Sequence, residues 1–249
     1  MSERLQNVLA QAGISSRRGA AALIASGVVT VDGLVVREAG FRVDPANAKI
    51  AVSGKIIAAP ERKRTILLYK PVGVLSSTRD PFGGETVLDL IRGQIPERLV
   101  PVGRLDKDSE GLLLLSNDGD LTLRLTHPRY DHEKTYLVRA AGHWSEDKLR
   151  ILRGPVTMPD GYVTRPVPVE VVRGPENNVT TLIFRLREGR KRQIRYMCSA
   201  AHLVVLSLKR IAIGGLRLPR DLKPGQWRDL TAAECKEVLQ NGGLSNRDA

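Results

Sequence analysis

The chain has 249 residues, of which 42% are hydrophobic and 27% charged; this is the composition of a folded globular protein and excludes a disordered or fibrous one. Its 39 Lys and Arg against 27 Asp and Glu leave a net charge of +12, so a polyanionic partner is expected, nucleic acid ahead of an anionic membrane surface. No apolar run approaches the roughly 20 residues that span a bilayer, and no secretory signal pattern opens the chain. Two widely spaced cysteines and four scattered histidines build neither a disulfide framework nor a metal cluster, so a cytoplasmic protein without metal is expected.

In chain order, residues 4–12 place Leu5, Val8, Leu9 and Ala12 at helical spacing, and Gly13 ends the helix. Ser15 and Ser16 cap a second helix that carries Ala20, Ala21, Leu23 and Ile24 and stops at Gly27. Strands at 28–31 and 34–36 flank Asp32-Gly33, a two-residue hairpin signal, and a further strand at 49–52 ends at Ser53-Gly54. Residues 55–64, with Pro60 and the mixed-charge run Glu61-Arg62-Lys63-Arg64, read as a connector. The expected division is therefore 1–60 as a front domain with its linker, 61–240 as a rear domain, and 241–249 as a frayed tail.

Beyond the connector, strands are expected at 65–69, 111–116, 135–140, 163–172, 178–186, 203–208 and 211–213. Helices are expected at 86–91, 121–125, 146–152, 193–201 and 231–239. Helices and strands mix without strict alternation, which indicates an α+β fold rather than a doubly wound sheet. No Gly-rich segment has the spacing of a phosphate-cradling loop, which argues against nucleotide hydrolysis and dinucleotide redox chemistry.

Three groups of polar residues stand out. In the front domain Arg4, Arg17, Arg18 and Arg37, with few aromatics nearby, suit RNA binding by charge and shape, although a solvated helix face explains them at least as well. At 101–115 a charged loop runs straight into an apolar strand and carries Asp106, Asp108 and Glu110. As bare residues these are surface carboxylates of a turn, or else a paired acid and base of a hydrolase. The run Arg185, Arg187, Arg190, Lys191, Arg192 and Arg195 forms a basic patch for backbone phosphates.

A family resemblance sharpens this picture. Arg4-Leu5-Gln6, Gly13-Ile14-Ser15-Ser16-Arg17-Arg18 and Val29-Thr30-Val31-Asp32-Gly33 resemble the small αβ RNA-binding domain of ribosomal protein S-four type; Ala20-Ala21-Ala22 departs from its usual acidic residue. Tyr69-Lys70-Pro71-Val72-Gly73 and Gly103-Arg104-Leu105-Asp106 resemble the first and second motifs of pseudouridine synthases. Lys134-Thr135-Tyr136 is similar to their continuation, and Glu188-Gly189-Arg190-Lys191-Arg192-Gln193-Ile194-Arg195 to their third motif. The likeness covers most of residues 66–230 and is greatest to the bacterial ribosomal RsuA/RluB group, with Asp108-Ser109 and Tyr196 as departures.

The resemblance implies an S-four-type front domain followed by a mixed, mainly antiparallel sheet with flanking helices. It implies that Asp106 is the nucleophile of a cofactor-free isomerisation of uridine to pseudouridine, by attack at C1′ or by way of a glycal. An unperturbed aspartate is already ionised at neutral pH and needs no activating base. By the same resemblance Tyr136 lies against the uracil, Arg195 pairs with Asp106, Ile194 forms an apolar wall and Arg104 enters the duplex as the base leaves. As members of the basic patch, Arg190, Lys191 and Arg192 are expected to contact substrate. Lys70 is a substrate-site residue or, with equal weight, a solvated turn lysine. The expected partner is ribosomal RNA, of the large subunit (23S) by likeness to the RluB branch, and a monomer is expected. The alternatives are small-subunit (16S) rRNA, or a ribosome-associated RNA-binding protein without catalysis.

Overall fold

The computed structural model describes residues 2–38, 40–57 and 62–240. The chain divides into two compact units, one of residues 1–63 with 95–98 and one of residues 64–94 with 99–249. The boundary expected near residue 60 and the tail expected at 241–249 both fall outside the described residues.

In the first unit, β1 (Glu3–Arg4) leads into α1 (Leu5–Gln11) and then α2 (Arg17–Ala25), whose first turn is capped by the Ser16 hydroxyl, which accepts from the Gly19 amide at 3.1 Å. β2 (Val29–Val31) and β3 (Leu34–Val35) form the expected hairpin, with positive φ at both Asp32 and Gly33. β4 (Arg42–Val43) pairs with β1, a short ladder that sequence periodicity did not reveal. β5 (Ile50–Val52) turns at Ser53-Gly54 into β6 (Lys55–Ile56), so the ladder reaches into what was expected to be connector. The four-stranded order is β3-β2-β5-β6, and Leu5, Val8, Leu9, Ala20, Ile24, Val29 and Ile50 form the core beneath it.

The second unit is built on a nine-stranded sheet. β7 (Thr65–Lys70) lies beside β9 (Glu110–Ser116), and Ile66, Leu67, Leu68 and Leu112 to Leu115 are all 0% exposed, because this part of the sheet is covered on both faces. β8 (Val100–Val102) adds to the far end of β9. β10 (Lys134–Ala141) sits between β12 (Val179–Leu186) and β13 (Val204–Ile213), with β11 (Val169–Glu176) outside β12. β14 (Leu216–Arg217) and β15 (Trp227–Asp229) complete it. The pairs are antiparallel except for β9 with β13, where Lys209 lies opposite Glu110 and Arg210 opposite Gly111.

The helices are α3 (Gly119–Thr126), α4 (Glu146–Arg153), α5 (Gln193–Ala200) and α6 (Ala232–Glu237). The apolar side of α4 and α5, including Leu149, Leu152, Ile194 and Met197, packs with Val138, Leu182, Phe184 and Leu208 of the sheet. Cys198 lies in that core, and burial pushes its thiol up to about 12, as befits a packing residue.

In the second unit three expectations differ from the structure. The helix expected at 86–91 is only a 3-10 turn, Asp89–Ile91, because Asp89 caps Thr86 through both its amide and its hydroxyl while Thr86 bridges Leu75 in extended form. The strand expected at 163–172 starts at Val169, since Pro166 and Pro168 cannot donate to a ladder. The two strands expected at 203–208 and 211–213 are one, β13.

Candidate active site

The loop between β8 and β9 turns sharply, the Ser109 amide donating to the Asp106 carbonyl at 3.1 Å. The remaining carbonyls from Leu105 to Ser109 are each held from outside the loop. The Ser76 hydroxyl donates to the Leu105 carbonyl at 2.9 Å and accepts from the Leu105 amide at 3.1 Å. The Gly73 amide donates to Lys107 O at 2.8 Å, Arg195 Nη2 to Asp108 O at 3.0 Å, and Lys70 Nζ to Ser109 O at 2.7 Å. Every backbone acceptor from 105 to 109 is therefore satisfied by a fixed donor, which preorganises the loop. At its end, Gly111 has φ +108 and comes so close to β13 that a Cβ there would lie 2.3 Å from the Arg210 carbonyl oxygen. Only glycine lets the loop enter the sheet at this point.

The loop borders a cavity of about 260 Å³. That is at the small end for ligand sites and suits one extruded base better than a length of chain. Its apolar surface comes from Leu186, Ile194 and Leu208, and its aromatic surface from Tyr136, which is half-buried on β10 opposite Phe184 and Arg210. Its basic surface comes from Arg104, Arg190, Lys191 and Arg192. Of the two carboxylates lining it, Glu188 is committed: it accepts from Gln193 Nε2 at 2.6 Å, the Arg165 amide at 3.2 Å and the Tyr162 hydroxyl at 2.7 Å. Asp106, half-buried, has no side-chain hydrogen bond or ion pair among the described residues.

Two expected site residues lie elsewhere. Arg195 does not pair with Asp106; its Nη2 lies 3.1 Å from Asp108 Oδ2, and Arg192 Nη1 reaches the same oxygen at 3.0 Å. The reason is the turn itself, which aims Asp106 into the cavity and Asp108 outward to the start of α5. Lys70 is neither a solvated turn lysine nor part of the cavity lining. It is fully buried, its Nζ also donates to Pro71 O at 2.9 Å, and desolvation lowers its pKa from 10.5 to about 8 against the raising influence of Asp108, Asp106 and Glu110.

The paired-carboxylate alternative finds no geometry here. Asp108 is clamped by two guanidiniums, and Glu110 accepts from the Tyr69 hydroxyl at 2.9 Å; neither lines the cavity. Of the cations, Arg192 is committed to Asp108, in a left-handed backbone conformation of φ +57, and Arg190 lies over the Tyr162 ring at 3.7 Å. Arg104 and Lys191 are exposed, with no carboxylate partner among the described residues. Glu188, Tyr162 and Ser76 were missed from sequence; Glu188 stood within the third motif, but only the Gln193 and Tyr162 contacts show what it does. Arg4, Arg17 and Arg18 are exposed residues of the first unit.

Comparison with known proteins bears directly on this geometry. Residues 64–200 match the RNA pseudouridylate synthase family, and residues 3–48 match the S4 domain. The chain is 40% identical over 245 residues to an uncharacterised RNA pseudouridine synthase of Aquifex aeolicus (strain VF5), covering 98% of this chain and 96% of that one. It is 40% identical over 239 residues to ribosomal large subunit pseudouridine synthase B of Bacillus subtilis (strain 168), covering 95% of each. A crystal structure of a pseudouridylate synthase superposes with a TM-score of 0.67 at 26% identity, over 94% of this chain and 99% of that one. With likeness of this length, and a base-sized cavity into which one uncommitted carboxylate points, the chain belongs to the RNA pseudouridylate synthase family.

Proposed function

We propose that the enzyme isomerises a uridine of large-subunit (23S) ribosomal RNA to pseudouridine, with Asp106 as the nucleophile. The observation that carries the reading is that Asp106 alone, of the two carboxylates lining the cavity, has no protein partner. Bacterial relatives named as large-subunit synthases support the substrate, since the likeness to the Bacillus subtilis enzyme runs through 95% of both chains.

The target base leaves its stack and enters the cavity, at a cost of a few kcal/mol that phosphate contacts from Arg104 and Lys191 offset. Tyr136 offers a ring to the uracil, and Ile194, Leu186 and Leu208 close the apolar side. Asp106 takes part in breaking the bond between N1 and C1′. The detached base turns, C5 bonds to C1′, and the C5 proton is lost as N1 gains one; the product is an isomer, so no co-reactant enters. Arg195, Arg192 and Lys70 act as positioning residues, the arginines through Asp108 and the lysine through the Ser109 carbonyl. Arg190 holds the cavity wall through Tyr162, and Arg4, Arg17 and Arg18 of the first unit add affinity for the RNA backbone. The enzyme acts as a monomer in the cytoplasm, where ribosomal RNA is found; among the described residues no helix is long and apolar enough to cross a membrane.

The test is to incubate the protein with ribosomal RNA transcripts, free and partly assembled, and to map pseudouridines by carbodiimide treatment and primer extension. Wild type is expected to modify large-subunit RNA and Asp106→Asn to be inert. Absence of any pseudouridine with wild type removes the function, and an Asp106→Asn protein as active as wild type removes the nucleophile.

A further inference from the structure

Phe82 is 94% exposed in a chain that has only ten aromatic residues other than histidine. The segment that carries it is highly structured. The Gly83 amide donates to the Asp80 carbonyl at 3.4 Å, closing a turn of Asp80-Pro81-Phe82-Gly83, with Pro81 fixing one corner and Gly83 at φ +77 leaving it. The Asp80 side chain accepts from the Gly84 amide at 2.8 Å. The two ends of the loop are joined where Leu75 N donates to Glu85 O and Val87 N to Leu75 O, both at 2.9 Å. A ring at the second corner of such a turn projects into solvent on a rigid mount. Leaving it there forgoes the stabilisation that burial of a phenyl group supplies.

The root of the loop lies against the proposed nucleophile's own segment. Ser76 makes both hydrogen bonds to Leu105, the residue before Asp106. Phe82 follows Ser76 by six positions, so its Cα lies at most about 22 Å from that of Ser76, roughly the rise of six stacked nucleotides. Arg79, exposed on the same loop and without a carboxylate partner among the described residues, adds a charge for the backbone phosphate.

We propose that Phe82 is an RNA contact of this enzyme: its ring stacks on an unpaired base of the substrate strand outside the cavity, within about six nucleotides of the target uridine. A stacking platform of this kind tolerates any base, because every base has a π face, and a preset turn limits the ordering cost on binding. The inference deepens the ribosomal RNA reading and rests on it.

The experiment measures Kd by fluorescence anisotropy for labelled oligouridylate and for transcribed fragments of large-subunit rRNA, across a series of salt concentrations. Phe82→Ala is expected to weaken binding of the tightest fragment about tenfold, Phe82→Leu nearly as much, and Phe82→Trp not at all. A stack carries no charge, so the slope of log Kd on log salt should stay at its wild-type value in all three, whereas Arg79→Ala should lower it by about one. Unchanged affinity in Phe82→Ala, or full affinity in Phe82→Leu, overturns the proposal. So does a loss seen with assembled subunits but not with naked RNA, since the ring would then touch protein. Because Kd is read without turnover, a wild type that makes no pseudouridine defeats the function reading without deciding this one.

Discussion

Replacing Lys70 by methionine separates the stability of the fold from the geometry of the catalytic loop. The change keeps the length and apolar stem of the side chain but removes its charge and both donors. Two carbonyls, Ser109 O and Pro71 O, lose partners at 2.7 and 2.9 Å, at a cost of about 1–3 kcal/mol each if they stay dry. Against this, lowering the lysine from 10.5 to about 8 corresponds to about 3 kcal/mol of penalty on the charged form at neutral pH, which the substitution relieves. The two contributions nearly offset, so the folded state should change by no more than about 3 kcal/mol in denaturant titrations. Turnover should not be spared. Ser109 lies three residues past Asp106, and release of its carbonyl loosens the turn; a displacement near 1 Å costs about 10²-fold. Steady-state assays across RNA concentrations should show kcat falling about 10²-fold with KM little changed, because Lys70 lines no part of the cavity. A methionine variant with wild-type kcat refutes the positioning role, and a rise in KM alone would place Lys70 on the substrate.

The same lysine sets a pH dependence. Its folded pKa lies below its unfolded one, so between about 8 and 10.5 the unfolded chain binds more protons and stability rises with pH; Lys134, lowered to about 8 by burial, acts in the same direction. Unfolding free energies measured across that window should climb less steeply in Lys70→Met, and an unchanged slope would contradict the burial argument. Gly111→Ala places a Cβ 2.3 Å from Arg210 O and should cost several kcal/mol, seen as a fall in Tm of more than about 10 °C or as insoluble protein. Arg104→Ala and Lys191→Ala should each lower the slope of log Kd on log salt by about one, with little effect on Tm. Asp108→Asn removes the ion pairs to Arg192 and Arg195 but leaves the Asp108 carbonyl to accept from Arg195; the carboxylate is 44% exposed, so stability should fall by no more than about 2 kcal/mol, and kcat by far less than in Asp106→Asn.

The parts of the fold that were legible in sequence are those fixed by local chemistry. Asp32-Gly33 named its hairpin, Ser16 named its cap, and the unbroken Leu112 to Leu115 run named a strand, which the structure buries completely. Long-range pairing was not legible: β1 with β4 and β8 with β9 are two or three residues long and carry no periodicity. The helix expected at 86–91 failed because a bridge to Leu75, eleven residues earlier, overrode local preference. At the site, motifs brought Asp106, Tyr136, Ile194, Arg104, Arg190, Lys191 and Arg192 to one cavity. They could not say which cation meets which carboxylate, since the spacings of Asp106 and Asp108 from Arg195 in sequence differ by only two residues. That choice belongs to the 106–109 turn, which sends one acid inward and the other outward.

The geometry of that turn also bears on why this site would isomerise rather than hydrolyse. Breaking the N1 to C1′ bond leaves an electrophilic sugar and a detached base, and water would intercept the sugar if a second carboxylate were placed to activate it. The other carboxylate lining the cavity among the described residues, Glu188, has both oxygens occupied, by Gln193 and the Arg165 amide on one and by Tyr162 on the other. Asp108 and Glu110 are tied to arginines and to Tyr69, outside the lining. Around the base, Tyr136, Ile194, Leu186 and Leu208 supply surfaces that retain a planar apolar-faced ring while letting it turn, and none of them carries a carboxylate that could act as a general base on water. A single uncommitted aspartate in such a pocket can engage the sugar but finds no second carboxylate for general-base hydrolysis, so the committed state of the neighbouring acids is as much a part of the proposed chemistry as the reactivity of Asp106.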